Sequence, residues 1–189
     1  MAITRSREWE SLCRVALTGF MGAGKSTVGQ LLASELDWDF LDVDKQIEAS
    51  EGMSAKELFA ALGEAAFRIM ESDVLVSCMS RPNAIIAPGG AAIDFPRNRQ
   101  VLASRSNTLI VFLDAPFETL IARCLLDEQR GCATYRPLLH MTDMALARFS
   151  ARRSLYSAHA DLTIDVAEPS PDGIVSLICE TMRGLREQA

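Results

Sequence analysis

The chain has 189 residues, 49% apolar but only 6% aromatic, and a formal net charge of −6. That length suits one domain with a substantial aliphatic core, and the acidic balance argues against a general nucleic-acid binder, which is normally basic. Sixteen arginines stand against three lysines; arginine is the better fork for carboxylate and phosphate, so a small anionic ligand fits better than a polymer.

Residues 1–12 carry Arg5, Arg7, Glu8 and Glu10 and read as a polar extension, frayed or briefly helical. They contain no apolar h-region, so a secretory signal is not expected. Residues 13–189 are expected to form a single domain. No uninterrupted apolar run is long enough to span a bilayer, so no membrane association is expected. Five scattered cysteines without a C-x-x-C pair indicate neither a disulfide framework nor a zinc site, and point to reduced thiols in the cytoplasm.

Residues 13–18 form an apolar run that predicts a buried strand. It is followed by Gly19-Phe20-Met21-Gly22-Ala23-Gly24-Lys25-Ser26-Thr27, and then by a helical pattern from Val28. Strand, glycine loop and helix together are the setting of a phosphate-binding P-loop. Glycines let successive amides turn inward around phosphate oxygens, and the helix start adds its positive dipole end. Gly22, Ala23, Gly24, Lys25, Ser26 and Thr27 are therefore the candidate nucleotide-phosphate contacts. The Lys25 ammonium would reach the β- and γ-phosphates, and the Ser26 hydroxyl would ligate Mg²⁺.

A second strand is expected at 38–43, ending in Asp42-Val43-Asp44 with a helix beginning there. Two carboxylates at a strand end beside the P-loop can divide the work. One, Asp42, would help to hold Mg²⁺, directly or through water, and the other would orient an acceptor hydroxyl. The plainer reading of Asp44 is a helix N-cap, and Asp42 taken alone invites the same reading. Ser54-Ala55-Lys56-Glu57 has the form of a capping box, and apolar residues at three-and-four spacing carry a helix to about Met79, with Gly63 its weak point. Within it, Arg68 stands one turn from both Glu64 and Glu71, ordinarily a solvated salt bridge.

A short strand at 84–87 closes with Pro88-Gly89-Gly90, and 97–104 is expected to be helical. Residues 108–113 are the clearest strand, with Pro116 suited to open the next helix. Between Asp127 and Pro137 the sequence turns polar and reads as a mobile loop. A helix to about Ala158 follows, then a strand at 162–166 and a helix opened by Ser170-Pro171. Five strands alternating with helices predict an α/β fold, a parallel sheet covered on both faces. Ligands bind such sheets beyond the strands' carboxyl ends, which gathers the P-loop, the two aspartates and Gly89-Gly90 at one edge.

These stretches, with Arg136-Pro137-Leu138-Leu139 and Arg152 to Asp161, resemble shikimate kinase in the family's order from about Gly19 to Asp161. The resemblance implies a three-layer α/β/α P-loop kinase of the nucleoside-monophosphate-kinase type, with strand order 2-3-1-4-5 and a closing lid at about 127–138. It implies ATP- and Mg²⁺-dependent phosphorylation of the shikimate 3-hydroxyl, in aromatic amino-acid synthesis. It places Asp44 on the shikimate hydroxyls and makes Lys25, Asp44 and Arg136 the catalytic set. Arg68 and Arg152 would clamp the shikimate carboxylate, with Gly89 and Gly90 beside them, and Phe59 and Phe67 would wall the site. The nucleotide held by residues 22–27 would be ATP, Arg136 would also meet it, and Arg130 is the candidate to stack on adenine. The partners expected are ATP and shikimate only, in a monomer.

The sequence departs from the family at Pro88 and Ala91, where Ala91 is strained if that position needs a positive φ. The register leaves open whether Arg152 or Arg153 faces the substrate. A gluconate kinase on the same scaffold and a catalytically retired sensor of shikimate-like metabolites are the alternatives. Lys25, Asp44 and the arginines are all present, which favours the active shikimate kinase.

Overall fold

The computed structural model describes residues 9–104, 106–130, 139 and 142–187. Strands β1 (Arg14–Thr18), β2 (Asp39–Asp42), β3 (Ala84–Ala87), β4 (Thr108–Asp114) and β5 (Leu162–Asp165) form one parallel sheet in the order β2-β3-β1-β4-β5. Every residue of β1 and β3, and all but the last of β4, is buried. These runs lack the alternation of a half-wet sheet because helices cover both faces.

Helix α1 (Lys25–Leu36) follows β1 through the glycine loop and packs on β1, β2 and β3. α2 (Val43–Glu51) follows β2 directly and lies against α3 (Ala55–Cys78). The N-cap of α2 is Asp42, whose Oδ1 accepts the Lys45 N–H at 3.3 Å. Asp44 sits in the first turn, so the cap reading belongs to Asp42. The capping box of α3 is complete: the Ser54 N–H donates to Glu57 Oε2 at 2.8 Å, and the Glu57 N–H donates to Ser54 Oγ at 3.3 Å. Gly63, with φ +77°, breaks α3 as its sequence position suggested.

A 3-10 turn, Ala92–Asp94, and α4 (Pro96–Ala103) lead from β3 to β4. Ala91 has φ −91°, an ordinary conformation for alanine, so its departure from a third glycine brings no backbone strain. Pro116 is the N-cap of α5 (Phe117–Gln129), one place earlier than expected. α6 (Thr142–His159) packs on the 3-10 turn and β4, and α7 (Pro171–Glu187) packs on α1. The parallel register sends the carboxyl ends of β1, β2 and β3 to one edge. The P-loop, Asp42 and Gly89-Gly90 meet there.

Candidate active site

A cleft of about 1140 Å³ opens at that edge. Its floor is the P-loop. Gly22 has φ +78°, and a Cβ there would lie 2.2 Å from the Leu120 carbonyl oxygen, so both backbone angle and space demand glycine. Lys25 folds back over the loop, donating from Nζ to the Gly19 and Phe20 carbonyls at 2.8 and 3.1 Å. Ser26 Oγ donates to Asp42 Oδ2 at 3.0 Å. Asp42 thus caps α2 with one oxygen and meets the P-loop hydroxyl with the other. Capping spends one Asp42 oxygen on the backbone and leaves Asp44 out of the cap.

Asp44 lines the cleft, and its carboxylate makes no hydrogen bond among the described residues. Burial pushes its carboxyl above the usual range and neighbouring Asp42 adds to that, while Lys25 and Arg68 oppose it. Against it stands Gly89, where a Cβ would lie 3.1 Å from Asp44 Oδ1 and 2.4 Å from Glu71 Oε1. A side chain at Gly89 would push these two carboxylates aside.

Arg68 is not the solvated salt bridge that its spacing alone suggests. Its guanidinium lies against a pair of rings, 5.3 and 5.5 Å from the Phe59 and Phe67 ring centres, which are themselves 4.4 Å apart. It donates to Glu71 Oε2 at 3.1 Å, and Glu71 is fully buried. A longer contact, 3.4 Å, reaches exposed Glu64. Burial raises the Glu71 carboxyl to about 7; Arg68 opposes the rise and Asp44 adds to it.

Across the cleft, Arg152 is 8% exposed and forms a side-on pair with Asp94. Nε reaches Oδ1 and Oδ2 at 3.2 and 3.0 Å, and one terminal nitrogen reaches Oδ2 at 2.8 Å. Arg153 points the other way and holds Asp114 at 2.7 Å, with over half its side chain exposed. One turn beyond Arg152, the Tyr156 hydroxyl donates to the Gly90 carbonyl, and its ring stacks on Phe112. Asp94, Glu71 and Tyr156 were not picked out from sequence as site residues. The regular four-residue step from Arg152 to Tyr156 was visible, but its partners lie 58 and 66 residues away in the chain.

Arg130 closes α5 as its C-cap and is exposed, outside the cleft wall. Arg123, two turns earlier, lines the cleft. It donates to the Val166 and Ala167 carbonyls at 2.7 and 3.1 Å, near Pro169 and Pro171. Residues 127–129 of the lid expected at 127–138 belong to the last turn of α5; Arg136 and the rest of that segment beyond Arg130 lie outside the described residues.

A P-loop on a 2-3-1-4-5 sheet, opening into a cleft with paired aspartates and arginines from α3, α5 and α6, defines a P-loop kinase acting on a small anionic acceptor. The chain belongs to the shikimate kinase family, whose pattern it matches over residues 21–183. It is 43% identical over 166 residues to a shikimate kinase of Lactococcus lactis subsp. cremoris, covering 88% of this chain and 96% of that one. It superposes with TM-score 0.80 and 31% identity on a shikimate kinase from Acinetobacter baumannii solved in complex with shikimate, covering 93% of this chain and 96% of that one. A gluconokinase from Sinorhizobium meliloti, at 17% identity and TM-score 0.55 over 94% and 95% of the two chains, shares the fold alone.

Proposed function

We propose that this cleft transfers the γ-phosphoryl group of ATP to the 3-hydroxyl of shikimate, giving shikimate 3-phosphate for chorismate and aromatic amino-acid synthesis, in the cytoplasm. The observation that carries the reading is the meeting, in one cleft, of a P-loop, an uncapped aspartate and two arginines drawn from α3 and α6.

The amides of residues 22–27 cradle the phosphates and Lys25 turns from the loop carbonyls to the β- and γ-phosphates. Mg²⁺ takes one or two protein oxygens and fills its shell with phosphates and water. The Ser26 hydroxyl and Asp42 carboxylate, 3.0 Å apart, are hard oxygen donors that fit this need. When bound, the ion neutralises phosphate charge. Asp44 orients the acceptor hydroxyl, and its raised affinity for a proton suits it to accept one. Arg68 and Arg152 hold the substrate carboxylate, with Gly90 beside them and Phe59 and Phe67 as the wall. Arg123, rather than Arg130, borders the side of the cleft near Pro169 where the base would lie. The polar segment 127–138 closes as a lid and brings Arg136 to the transferring group, excluding water that would compete with the hydroxyl.

The test is ATP consumption with shikimate, gluconate or nucleoside monophosphates as acceptor, with the product's phosphorylated position read by NMR. Shikimate alone should stimulate turnover, with phosphate at the 3-position, and Lys25→Ala should abolish it in a folded protein. Stimulation by gluconate instead would overturn the reading.

A further inference from the structure

We infer that Asp94 is a positioning residue, fixing Arg152 so that only one edge of its guanidinium is offered to an incoming carboxylate. The inference rests on the proposed shikimate site and adds the element that orients its clamp.

An arginine has five N–H donors and two usable edges, the side edge (Nε with one terminal nitrogen) and the end edge (the two terminal nitrogens). Asp94 takes the side edge in three contacts of 2.8–3.2 Å. The other terminal nitrogen has no partner among the described residues. The end edge therefore remains for a ligand while the side edge is closed to it. The face is set as well, because the guanidinium carbon lies 5.9 Å from the Phe20 ring centre.

Asp94 can do this because the backbone that carries it is held by a dense set of hydrogen bonds. Its turn is closed by the Ala92 N–H to Gly89 and the Asp94 N–H to Ala91, at 2.9 and 3.0 Å. Buried Asn98 donates to the Ala92 carbonyl at 3.0 Å, and Arg99 donates to the Ile93 and Asp94 carbonyls at 2.7 and 2.9 Å. The turn is then tied to α6 twice on one helical face, by Arg152 to Asp94 and by Tyr156 to Gly90. Gly90 and Asp94 are thus held in one frame with the arginine that meets the substrate. A flexible arginine would surrender rotamer entropy on binding; one already pinned surrenders less.

The opposite possibility is that Asp94, itself a carboxylate, competes with the substrate for Arg152. The two differ in sign. Shikimate and its neutral carboxamide should be compared as acceptors in the wild-type, Asp94→Ala and Asp94→Asn proteins, with thermal unfolding as a folding control. Asp94→Ala should raise KM for shikimate about tenfold, with kcat within about twofold and KM for ATP unchanged. KM for the carboxamide should hardly move, so the preference for the acid shrinks by the same factor. Asp94→Asn keeps the volume and one acceptor, and should fall between; it carries the test if the alanine variant does not fold. An unchanged or lowered KM for shikimate in a folded variant would overturn the inference, a lowered one by showing competition. A wild-type protein that ignores shikimate would instead overturn the functional reading on which it rests.

Discussion

At the scale of single residues, neighbours in sequence have been given opposite tasks. Arg152 and Arg153 are indistinguishable by type and adjacent on α6, yet a 100° step along a helix turns one into the cleft and the other onto Asp114. Arg152→Ala should therefore weaken shikimate binding by about 1.5–3 kcal/mol, the scale of a hydrogen bond to a charged group. Arg153→Ala removes a half-exposed pair outside the cleft and should leave that affinity within about twofold. Titrating shikimate and an ATP analogue separately into each variant checks both, and ATP affinity should be spared in both. Equal losses of shikimate affinity would show that α6 as a whole, rather than the side chain of Arg152, sets binding.

At the scale of elements, α3 combines a solvent-facing start with a buried interior. Its capping box is exposed, Leu58 is its one buried residue before Gly63 bends it, and beyond the bend it buries Phe67, Glu71 and Ser72. Glu71 sits where the helix is dry, which is why its carboxyl stays protonated to about pH 7. The sign of the effect follows. The folded state binds this proton more tightly than the unfolded chain, whose value is near 4.5. Its contribution to stability is fully present below pH 4.5 and is lost as pH rises from 4.5 to about 7. Glu71→Gln cannot titrate. Thermal unfolding across that window should show wild-type stability falling with rising pH relative to Glu71→Gln. Parallel curves for the two proteins would mean that Glu71 is ionised throughout, held by Arg68.

At the scale of the molecule, the sheet gathers at one edge groups separated by more than a hundred residues, and the cleft they form stays open to solvent unless something covers it. If the segment 127–138 is that cover, an ATP analogue with shikimate should increase its hydrogen-exchange protection, and either ligand alone should do less. Arg136→Ala should then lower turnover far more than it lowers shikimate affinity. Equal protection with and without ligands would mean that Arg136 is placed by the fold rather than by closure.

The P-loop, the strands and the capping box were legible because each is local or rests on a short repeat; the strand order came with the family resemblance. A glycine loop between strand and helix, an apolar run of four to seven residues, and Ser54 with Glu57 three places on all carry their physics within a few residues. The family resemblance extended that reading to Asp44, Arg68 and Arg152. What the sequence by itself could not determine were contacts across the chain. Asp42 rather than Asp44 caps α2 because the path of β2 into the helix fixes which carboxylate meets the backbone. Arg68 lies against two aromatic rings because the bend at Gly63 returns Phe59 toward Phe67. Arg152 meets Asp94, and Glu71 lies beneath Gly89, only because parallel pairing of β1 with β3 and β4 brings α3, α6 and the β3 loop together. Such pairings depend on where long connections return. The sequence sets local preference and hydrophobic period, whereas the closing of the sheet decides which charged groups become neighbours.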